Sequence, residues 1–347
     1  MLIGLEKNSS SKRLTQMGTW TQTGYGKLKK TKMKQKLISI IIPVFQNQGS
    51  LIPTYQRAVK TVLTYKNACS YEIIFINDGS TDGSTDELIS IAEQDPRVKL
   101  VNFSRNFGQV SAIIAGMKVA EGDLLINISA DLQDPPELIA EMLDHYFSGS
   151  PLVICSRQSR EDSIISGLTS KVFYKIIQHS IPEMPSSGFD YFLLDKSVYK
   201  SIAETSEKNN FLQGDILWFG YKPVVIPYKR IKRKIGKSQW SFFKKLKYFY
   251  DGLISVSNFP IRAMTFTGGI FALSSIIFSF VVVIGRLTNK SPFPGYAPLI
   301  IVLLLSTGSL MIMMGVIGEY IWRIYDETKK KPRYIIKDII NRNDETK

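Results

Sequence analysis

Two long apolar runs near the C-terminal end constrain the fold of this chain more than any other feature. Residues 263–285 and 297–318 form runs of 23 and 22 residues without a charged side chain. About 20 apolar residues in a helix cross the hydrocarbon core of a bilayer. The segment between them is short and contains two prolines and a glycine, which is typical of a tight turn. We therefore predict transmembrane helices at 263–285 and 297–322, rather than a pair of buried core helices.

The distribution of charge around these runs predicts their orientation. The chain has a net charge of +14, from 44 Lys and Arg against 30 Asp and Glu. Residues 229–247 contain nine basic residues and no acid, and further basic residues follow the second run, whereas the loop between the runs holds only Arg286 and Lys290. The positive-inside rule then places the large domain and both termini in the cytoplasm. We expect a multi-pass protein of the inner, cytoplasmic membrane.

The rest of the chain divides by composition into further segments. Residues 1–36 carry nine basic residues against one acid and few apolar ones, so we predict a disordered basic tail. We predict one large domain over residues 37–230, a basic juxtamembrane segment over residues 231–262, and a cytoplasmic tail over residues 323–347. Within the juxtamembrane segment, aromatic and basic residues at helical spacing predict an amphipathic helix in the membrane interface. A solvated helix packed on the domain is the alternative.

Cysteine and histidine are too scarce for several kinds of site. Cys69 and Cys155 each lie in or beside an apolar run, so we interpret them as buried thiols in a reducing compartment. The two histidines, His145 and His179, leave no material for a His-based zinc site.

Short apolar runs alternate with stretches of helical length through the first half of the chain. Five runs are rich in Ile, Val and Leu, at 37–43, 71–77, 98–103, 123–129 and 152–155. Stretches of helical length separate them, at 50–67, 83–94, 108–121 and 136–148. This alternation predicts a mostly parallel sheet wound in βαβ units, in which ligands bind beyond the carboxyl ends of the strands. Polar clusters follow four of the runs at that point, so we expect one site at this edge.

The segment ADLQDPPE contains the strongest local indication of chemistry. Asp131 follows a strand, and Gln133 offers a second oxygen two residues later. Such a pair can hold Mg²⁺ or Mn²⁺ together with substrate phosphates. The same segment also fits a helix cap, with Asp134 as N-cap, Pro135 at the first helical position and Glu137 at the third. We assign Asp134 and Glu137 to the cap and Asp131 to the metal.

The segment NDGSTDG around Asp78 is a turn by composition, although an Asp at the end of a buried strand could also bind a nucleobase or ribose. No P-loop and no G-x-G-x-x-G fingerprint occurs, which argues against those two nucleotide sites.

Five segments in order carry a resemblance. They are IIIPVFQN, INDGSTDGS, SRNFGQVSA, ADLQDPPE and RIKRKIGKSQW, followed by the two apolar runs. Over about residues 37–335 the chain resembles the family 2 glycosyltransferases with the GT-A fold, and in particular the polyprenyl-phosphate glycosyltransferases of the bacterial two-span form. The resemblance implies a Rossmann-like, mostly parallel GT-A catalytic domain, then an interfacial helix and two transmembrane helices.

The resemblance also implies roles for individual residues. Residues expected to line the nucleotide pocket are Pro43, Phe45, Asn47 and Asp78. The implied metal ligands are Asp131 and Gln133, with Mg²⁺ or Mn²⁺ as the cofactor. Residues implied to grip the acceptor phosphate or the donor diphosphate are Arg157, Arg233 and Ser238. Family members usually carry Asn-Glu where Gln46-Asn47 stands, and often an Asp in place of Ser129.

We expect the chain to move a hexose-type sugar from a nucleotide-sugar, UDP-linked rather than GDP-linked, to polyprenyl phosphate with inversion. A phosphate monoester has its second pKa near ~6 and needs no strong base, so catalysis rests on Asp131. If a general base or a positioning group is used, Asp215 is the first candidate and Asp190 is a similar one. The expected partners are the nucleotide-sugar, undecaprenyl phosphate and the bilayer, with a homo-oligomer left open and nucleic acid not expected. Two rivals remain: a transferase acting on another lipid or glycan, and a degenerate membrane-bound binding protein.

Overall fold

The computed structural model describes residues 35–158, 174–175, 177–205, 211–231, 259–288 and 296–341. Residues 1–34 of the predicted basic tail, the predicted interfacial helix, and with them Arg233 and Ser238 lie outside the described residues. Lys36, the last residue assigned to the tail, instead begins the first strand.

The described part is built on one mixed sheet of eight strands. The strands are β1 Lys36–Val44, β2 Cys69–Asn77, β3 Val98–Phe103, β4 Leu124–Asn127, β5 Leu152–Arg157, β6 Tyr191–Asp195, β7 Val224–Tyr228 and β8 Ile336–Ile340. Their order across the sheet is β7-β5-β6-β4-β1-β2-β3-β8. Four of the seven neighbouring pairs are parallel, including the central β4-β1-β2-β3 run, and only the pairs that involve β6 or β8 are antiparallel. The predicted mostly parallel α/β sheet is confirmed.

Helices cover both faces of this sheet. The helices are α1 Leu51–Leu63, α2 Ser84–Gln94, α3 Gln109–Val119, α4 Leu138–Phe147, α5 Lys196–Thr205, α6 Leu212–Trp218, α7 Phe259–Leu287 and α8 Ala297–Thr328. Successive strand residues point to opposite faces, so Ile40 and Ile42 enter one buried cluster while Ile41 enters the other. This explains why the central strands are continuously apolar rather than alternating. Cys69 and Cys155 are free and buried, as predicted.

The topology brings eight strand ends to one edge of the sheet. Strands β1 to β4, β5 and β7 run in the same direction, so their carboxyl ends meet there. Strands β6 and β8 run in the opposite direction and begin at that edge. Residues that follow the parallel strands and residues that precede β6 and β8 therefore come together. We call this the carboxyl edge.

Strand β8 was not predicted from the sequence. It lies in the segment interpreted as a tail, and it pairs antiparallel with β3 at the outer side of the sheet. Its length of five residues, with Lys337 and Asp338 in the middle, gives little hydrophobic signal. The pairing returns the chain from α8 to the catalytic domain.

Helices α7 and α8 are long and apolar enough to cross a membrane. The candidate spans are Ile261–Gly285 and Ile301–Thr328, and none of the most apolar window of either is buried inside the protein. Large apolar side chains such as Phe266 and Leu303 are more than 60% exposed. A core helix would be covered by protein, so the alternative of buried core helices does not fit the described residues.

Candidate active site

The tip of β1 is held in a tight turn by its own side chains. The amide of Phe45 donates to Asn47 Oδ1 at 3.0 Å, and the amide of Asn47 donates to Ser84 Oγ at 2.9 Å. Gln46 between them has φ 54°, a left-handed conformation that is costly for a residue with a Cβ. Phe45, Asn47 and the preceding Pro43 are partly exposed. These three predicted nucleotide-pocket residues thus lie together at the carboxyl edge.

Asp78 at the tip of β2 binds backbone of the neighbouring loop. Its Oδ1 accepts from the amide of Phe107 at 2.6 Å, and its Oδ2 accepts from the amide of Gly108 at 2.9 Å. The carboxylate is 3% exposed, and this burial raises its pKa to about 6 in spite of the two amide donors. The observed contacts fix the loop between β3 and α3. Contact with a nucleotide stays a prediction.

The tip of β4 places Asp131 and Gln133 on one turn. Asp131 Oδ1 accepts from Ser129 Oγ at 3.0 Å and from the amide of Gln133 at 3.1 Å. Leu132 between them has φ 58°, a second left-handed residue at this edge. The turn is partly exposed. Asp131 is therefore positioned by the Ser129 hydroxyl and the amide of Gln133, and it is partly exposed.

The predicted helix cap at this turn is wrong. Helix α4 begins at Leu138, and Glu137 stands at its N-cap without a side-chain cap bond. Asp134 is buried and accepts from Tyr228 Oη at 2.5 Å and from Ser129 Oγ at 2.7 Å, while Glu137 forms an ion pair with Arg57 at 2.6 Å. Two prolines keep the chain in a tight turn before the helix starts, which moves the cap three residues on. Asp134 instead supports Asp131 through the shared hydroxyl of Ser129.

Asp131 and Gln133 suit a cation that arrives with its substrate. Among the residues that the structure describes, no three Asp, Glu, His or Cys side chains converge as a metal site. One carboxylate and one amide oxygen match the few protein ligands that Mg²⁺ commonly takes when substrate phosphates supply others. The residues present therefore fit the predicted divalent cation, Mg²⁺ or Mn²⁺, as a site that substrate phosphates would complete.

Arg157 and Asp190 form a second polar group beside the Asp131 turn. Arg157 at the end of β5 forms an ion pair with Asp190 at 2.7 Å, and Tyr228 couples Arg157 to Asp134. Neighbouring carboxylates, Asp190 first among them, keep the pKa of the Arg157 guanidinium above its usual value although burial opposes this. Arg157 is thus a fixed cation at the predicted phosphate-binding end of the site.

Helix α6 packs its first turn against Asp190. Gln213 Nε2 donates to the carbonyl of Phe189 at 2.6 Å and to Asp190 Oδ1 at 3.2 Å. Asp215, the candidate base, lies in the same turn and is partly exposed. The structure therefore brings Asp215 to the carboxyl edge, on the side of α6.

The first residues of the basic segment that follows β7 contact the Asp131 turn and neighbouring Asp134. The amide of Ile231 donates to the carbonyl of Gln133 at 3.0 Å, and Gln133 Nε2 donates back to Ile231 O at 3.4 Å. Arg230 Nε lies 3.5 Å from Asp134 Oδ1. Ile231, the last described residue before Arg233 and Ser238 in the sequence, thus lies beside the Asp131 turn.

Sequence reasoning missed Asp134 as a support, Tyr228, Arg230 and Arg333. Asp134 is local to the Asp131 turn, but its buried partner Tyr228 is not, and Tyr228, Arg230 and Arg333 reach the edge from elements far along the chain. The one available signal was the position of Tyr228 just before the basic run and of Arg230 within it.

Comparisons with known proteins show which proteins this chain is similar to. The family described as Glycosyl transferase family 2 matches residues 39–203. An uncharacterized glycosyltransferase of Bacillus subtilis, YkcC, is 36% identical over 86% of this chain and 92% of that protein. A bactoprenol glucosyl transferase of Shigella phage SfV is 35% identical over 87% of this chain and 98% of that protein. Among solved structures, mannosyl-3-phosphoglycerate synthase from Rubrobacter xylanophilus is 16% identical, with a TM-score of 0.46 over 64% of this chain and 73% of that chain.

Proposed function

Because the chain belongs to glycosyl transferase family 2, and is therefore a glycosyltransferase, we propose that it moves a hexose-type sugar from a nucleotide-sugar to polyprenyl phosphate. The observation that carries this proposal is the joining of one polar edge to two exposed apolar helices. The edge holds Asp131, Arg157 and Asp78, and β8 connects it to the end of α8. The bactoprenol glucosyl transferases among the relatives support a polyprenyl acceptor for this chain.

The donor would bind over the tips of β1, β2 and β4. The turn of Phe45 and Asn47 would hold the nucleoside, and Asp131 with Gln133 would hold Mg²⁺ or Mn²⁺ next to the diphosphate. When bound, the cation would neutralise charge that develops on the diphosphate as it leaves. Arg157 would contribute a planar fork of donors to phosphate oxygens at the same place.

The phosphate group of the lipid acceptor would be the nucleophile. Its oxygen forms a bond to the anomeric carbon of the sugar, and the bond from that carbon to the diphosphate breaks, with the electron pair leaving on the nucleoside diphosphate. Attack opposite the leaving group inverts the anomeric centre. A dianionic phosphate carries no proton that must be removed, so Asp215 and Asp190 would position groups rather than act as strong bases.

The membrane topology completes the proposal. Helices α7 and α8 would cross the inner membrane with the catalytic domain and both termini on the cytoplasmic side, where nucleotide-sugars occur. Lipid phosphate would meet the carboxyl edge at the headgroup level.

The test is a transfer assay with purified full-length protein. Undecaprenyl phosphate in detergent is incubated with Mn²⁺ and labelled UDP-glucose, UDP-galactose, UDP-N-acetylglucosamine or GDP-mannose. We expect label from one UDP-sugar to enter the lipid fraction, as a product whose anomeric configuration is opposite to that of the donor. Label that enters lipid only when diacylglycerol or a lipid-linked glycan replaces undecaprenyl phosphate would favour the other-acceptor transferase. If the protein bound none of the nucleotide-sugars, the alternative of a degenerate membrane-bound binding protein would be favoured instead.

A further inference from the structure

We propose that Arg333, which follows the second long helix, binds a phosphate group of one of the two substrates. The chain between α8 and the end of β8, residues 329–340, is called the post-helix segment. This inference rests on the proposed sugar transfer. It adds to that proposal a phosphate ligand that comes from beyond both apolar helices.

The post-helix segment is joined to the sheet at the tip of β3. The amide of Ser104 donates to the carbonyl of Ile335 at 3.0 Å. The Tyr334 ring stacks on Phe103, with centroids 4.9 Å apart and planes 10° apart. Backbone pairing and ring stacking on the two residues that follow Arg333 fix where its side chain begins. Its position is thus defined by the catalytic domain, not by α8.

The guanidinium of Arg333 reaches the first turn of α3. Its Nε donates to Ser111 Oγ at 3.4 Å, and Ser111 Oγ in turn donates to the carbonyl of Phe107 at 3.0 Å. The amide of that same Phe107 is bound by Asp78. Arg333 therefore lies at the carboxyl edge, on the α3 side of the Asp78 loop.

On its other side Arg333 faces α6. The carboxylate of Asp215 is close enough to favour the charged form of Arg333. Helix α6 continues through Gln213 to Asp190 and Arg157. Arg333 thus lies between the nucleotide half of the edge, at Asp78, and the half that holds Arg157.

The electrostatics of Arg333 favour an anion beside it. Burial lowers its pKa, and the attraction of Asp215 does not fully offset that effect. The guanidinium still stays charged at neutral pH, because its ordinary pKa is above 12. A phosphate would add negative charge and accept two parallel hydrogen bonds from the planar fork.

Two phosphates could supply this chemistry, and both come from the proposed reaction. Helix α8 ends at Thr328, five positions before Arg333, so a lipid phosphate at the membrane surface is within reach of the segment. The donor diphosphate would lie over the tips of β2 and β4. Kinetics with each substrate varied separately distinguish the two sources.

The test compares Arg333→Ala and Arg333→Lys with the wild-type full-length protein in detergent. The matched control is Lys331→Ala, which removes an exposed cation from the same segment. Initial rates are measured with the active nucleotide-sugar of the transfer assay and Mn²⁺, varying undecaprenyl phosphate and then the donor. We expect Arg333→Ala to raise one KM about tenfold or more, the size of one lost charged hydrogen bond. The KM of Arg333→Lys should lie between the wild-type and Arg333→Ala values, because lysine keeps the charge but not the planar fork of donors. The KM values of Lys331→Ala should stay within about twofold of the wild-type values.

A rise in KM for undecaprenyl phosphate alone assigns Arg333 to the lipid, and a rise for the nucleotide-sugar alone assigns it to the donor. Unchanged KM values in both Arg333 variants would overturn the inference, whether or not kcat or the melting temperature falls, because a purely structural clamp gives that pattern. If Arg333→Ala does not fold, Arg333→Lys alone decides by the same criterion. A wild-type protein without transfer activity would overturn the proposed function, and this inference with it.

Discussion

At the scale of single residues, the carboxyl edge shows acids with different tasks. Asp131 is partly exposed on a turn, whereas Asp134 is buried and satisfied by Tyr228 and Ser129. Asp78 is buried as well, and its two oxygens hold a loop. Exposure therefore distinguishes Asp131 from the two buried acids, which both bind groups of the protein itself.

The raised pKa of Asp78 predicts that the stability of the folded protein depends on pH. Its pKa in the folded protein is about 6, above the ordinary value of 3.8, so the folded state binds more protons than the unfolded state between these values. The contribution of Asp78 to stability is then fully present below pH 4 and is lost as the pH rises through 6. Its size is on the order of 2–3 kcal/mol. Asp78→Asn removes this titration.

The measurement is the melting temperature of wild-type and Asp78→Asn protein at pH 4.5 and pH 7. We expect the melting temperature of the wild-type protein, relative to that of the Asp78→Asn variant, to be higher at pH 4.5 than at pH 7. A difference that is the same at both values, or that favours the wild type more at pH 7, would show that the buried carboxylate is not protonated near pH 6.

The positions of Asp78 and Asp131 could be predicted because each lies within four residues after the end of an apolar strand. The partners of these residues could not. Tyr228 lies 94 positions from Asp134, and Arg333 lies 222 positions from Ser111. Contacts over such separations depend on strand order, which composition and spacing do not determine.

At the scale of elements, strands and helices with a strong hydrophobic pattern could be predicted from the sequence, and those with a weak pattern could not. The five strands of the first half and the two long helices appear close to their predicted positions. Strand β8 was not predicted because it is short, partly charged and far along the sequence from its partner β3. Helix α4 begins later than predicted, because two prolines keep the chain in a tight turn and buried Asp134 is bound by Tyr228 instead of capping the helix.

The ends of α8 differ in a way that suits a helix leaving a membrane. Its first part is apolar, while its last turns carry the Glu319–Arg323 ion pair at 3.1 Å and the rings of Trp322 and Tyr325. Lys329 lies over both rings, at 5.2 and 4.3 Å from their centroids. Aromatic and basic side chains of this kind favour the membrane–water interface. The post-helix segment would therefore start at the headgroup level.

At the scale of the whole molecule, described residues on either side of the two long helices contact the carboxyl edge. Before the helices, the amide of Ile231 donates to the carbonyl of Gln133 on the Asp131 turn, and after them β8 pairs with β3. Ile231 and the start of β8 both lie at the carboxyl edge. This arrangement would keep the proposed site facing the membrane surface.

The proposed orientation predicts which positions a membrane-impermeant maleimide can reach in intact cells. The native thiols are a suitable background, because Cys69 and Cys155 are buried and burial raises the pKa of both. We expect Lys290→Cys, in the loop between the spans, to be labelled from outside the inner membrane. Lys337→Cys, on exposed β8, should be labelled only after permeabilisation.

Labelling of Lys337→Cys in intact cells, with Lys290→Cys protected, would reverse the orientation and place the site away from cytoplasmic nucleotide-sugars. Equal labelling of both positions from outside would contradict two complete spans.

The central claim is that Asp131 works at a cation-assisted site for sugar transfer, and the most direct measurement is the kcat of the Asp131→Ala protein in the transfer assay to undecaprenyl phosphate. The matched control is Glu93→Ala, which removes an exposed carboxylate near the end of α2, away from the carboxyl edge. We expect Asp131→Ala to keep the wild-type melting temperature and to lose on the order of 100-fold in kcat, while the control keeps its rate. Asp131→Ala protein that transfers sugar at the wild-type rate would contradict the account.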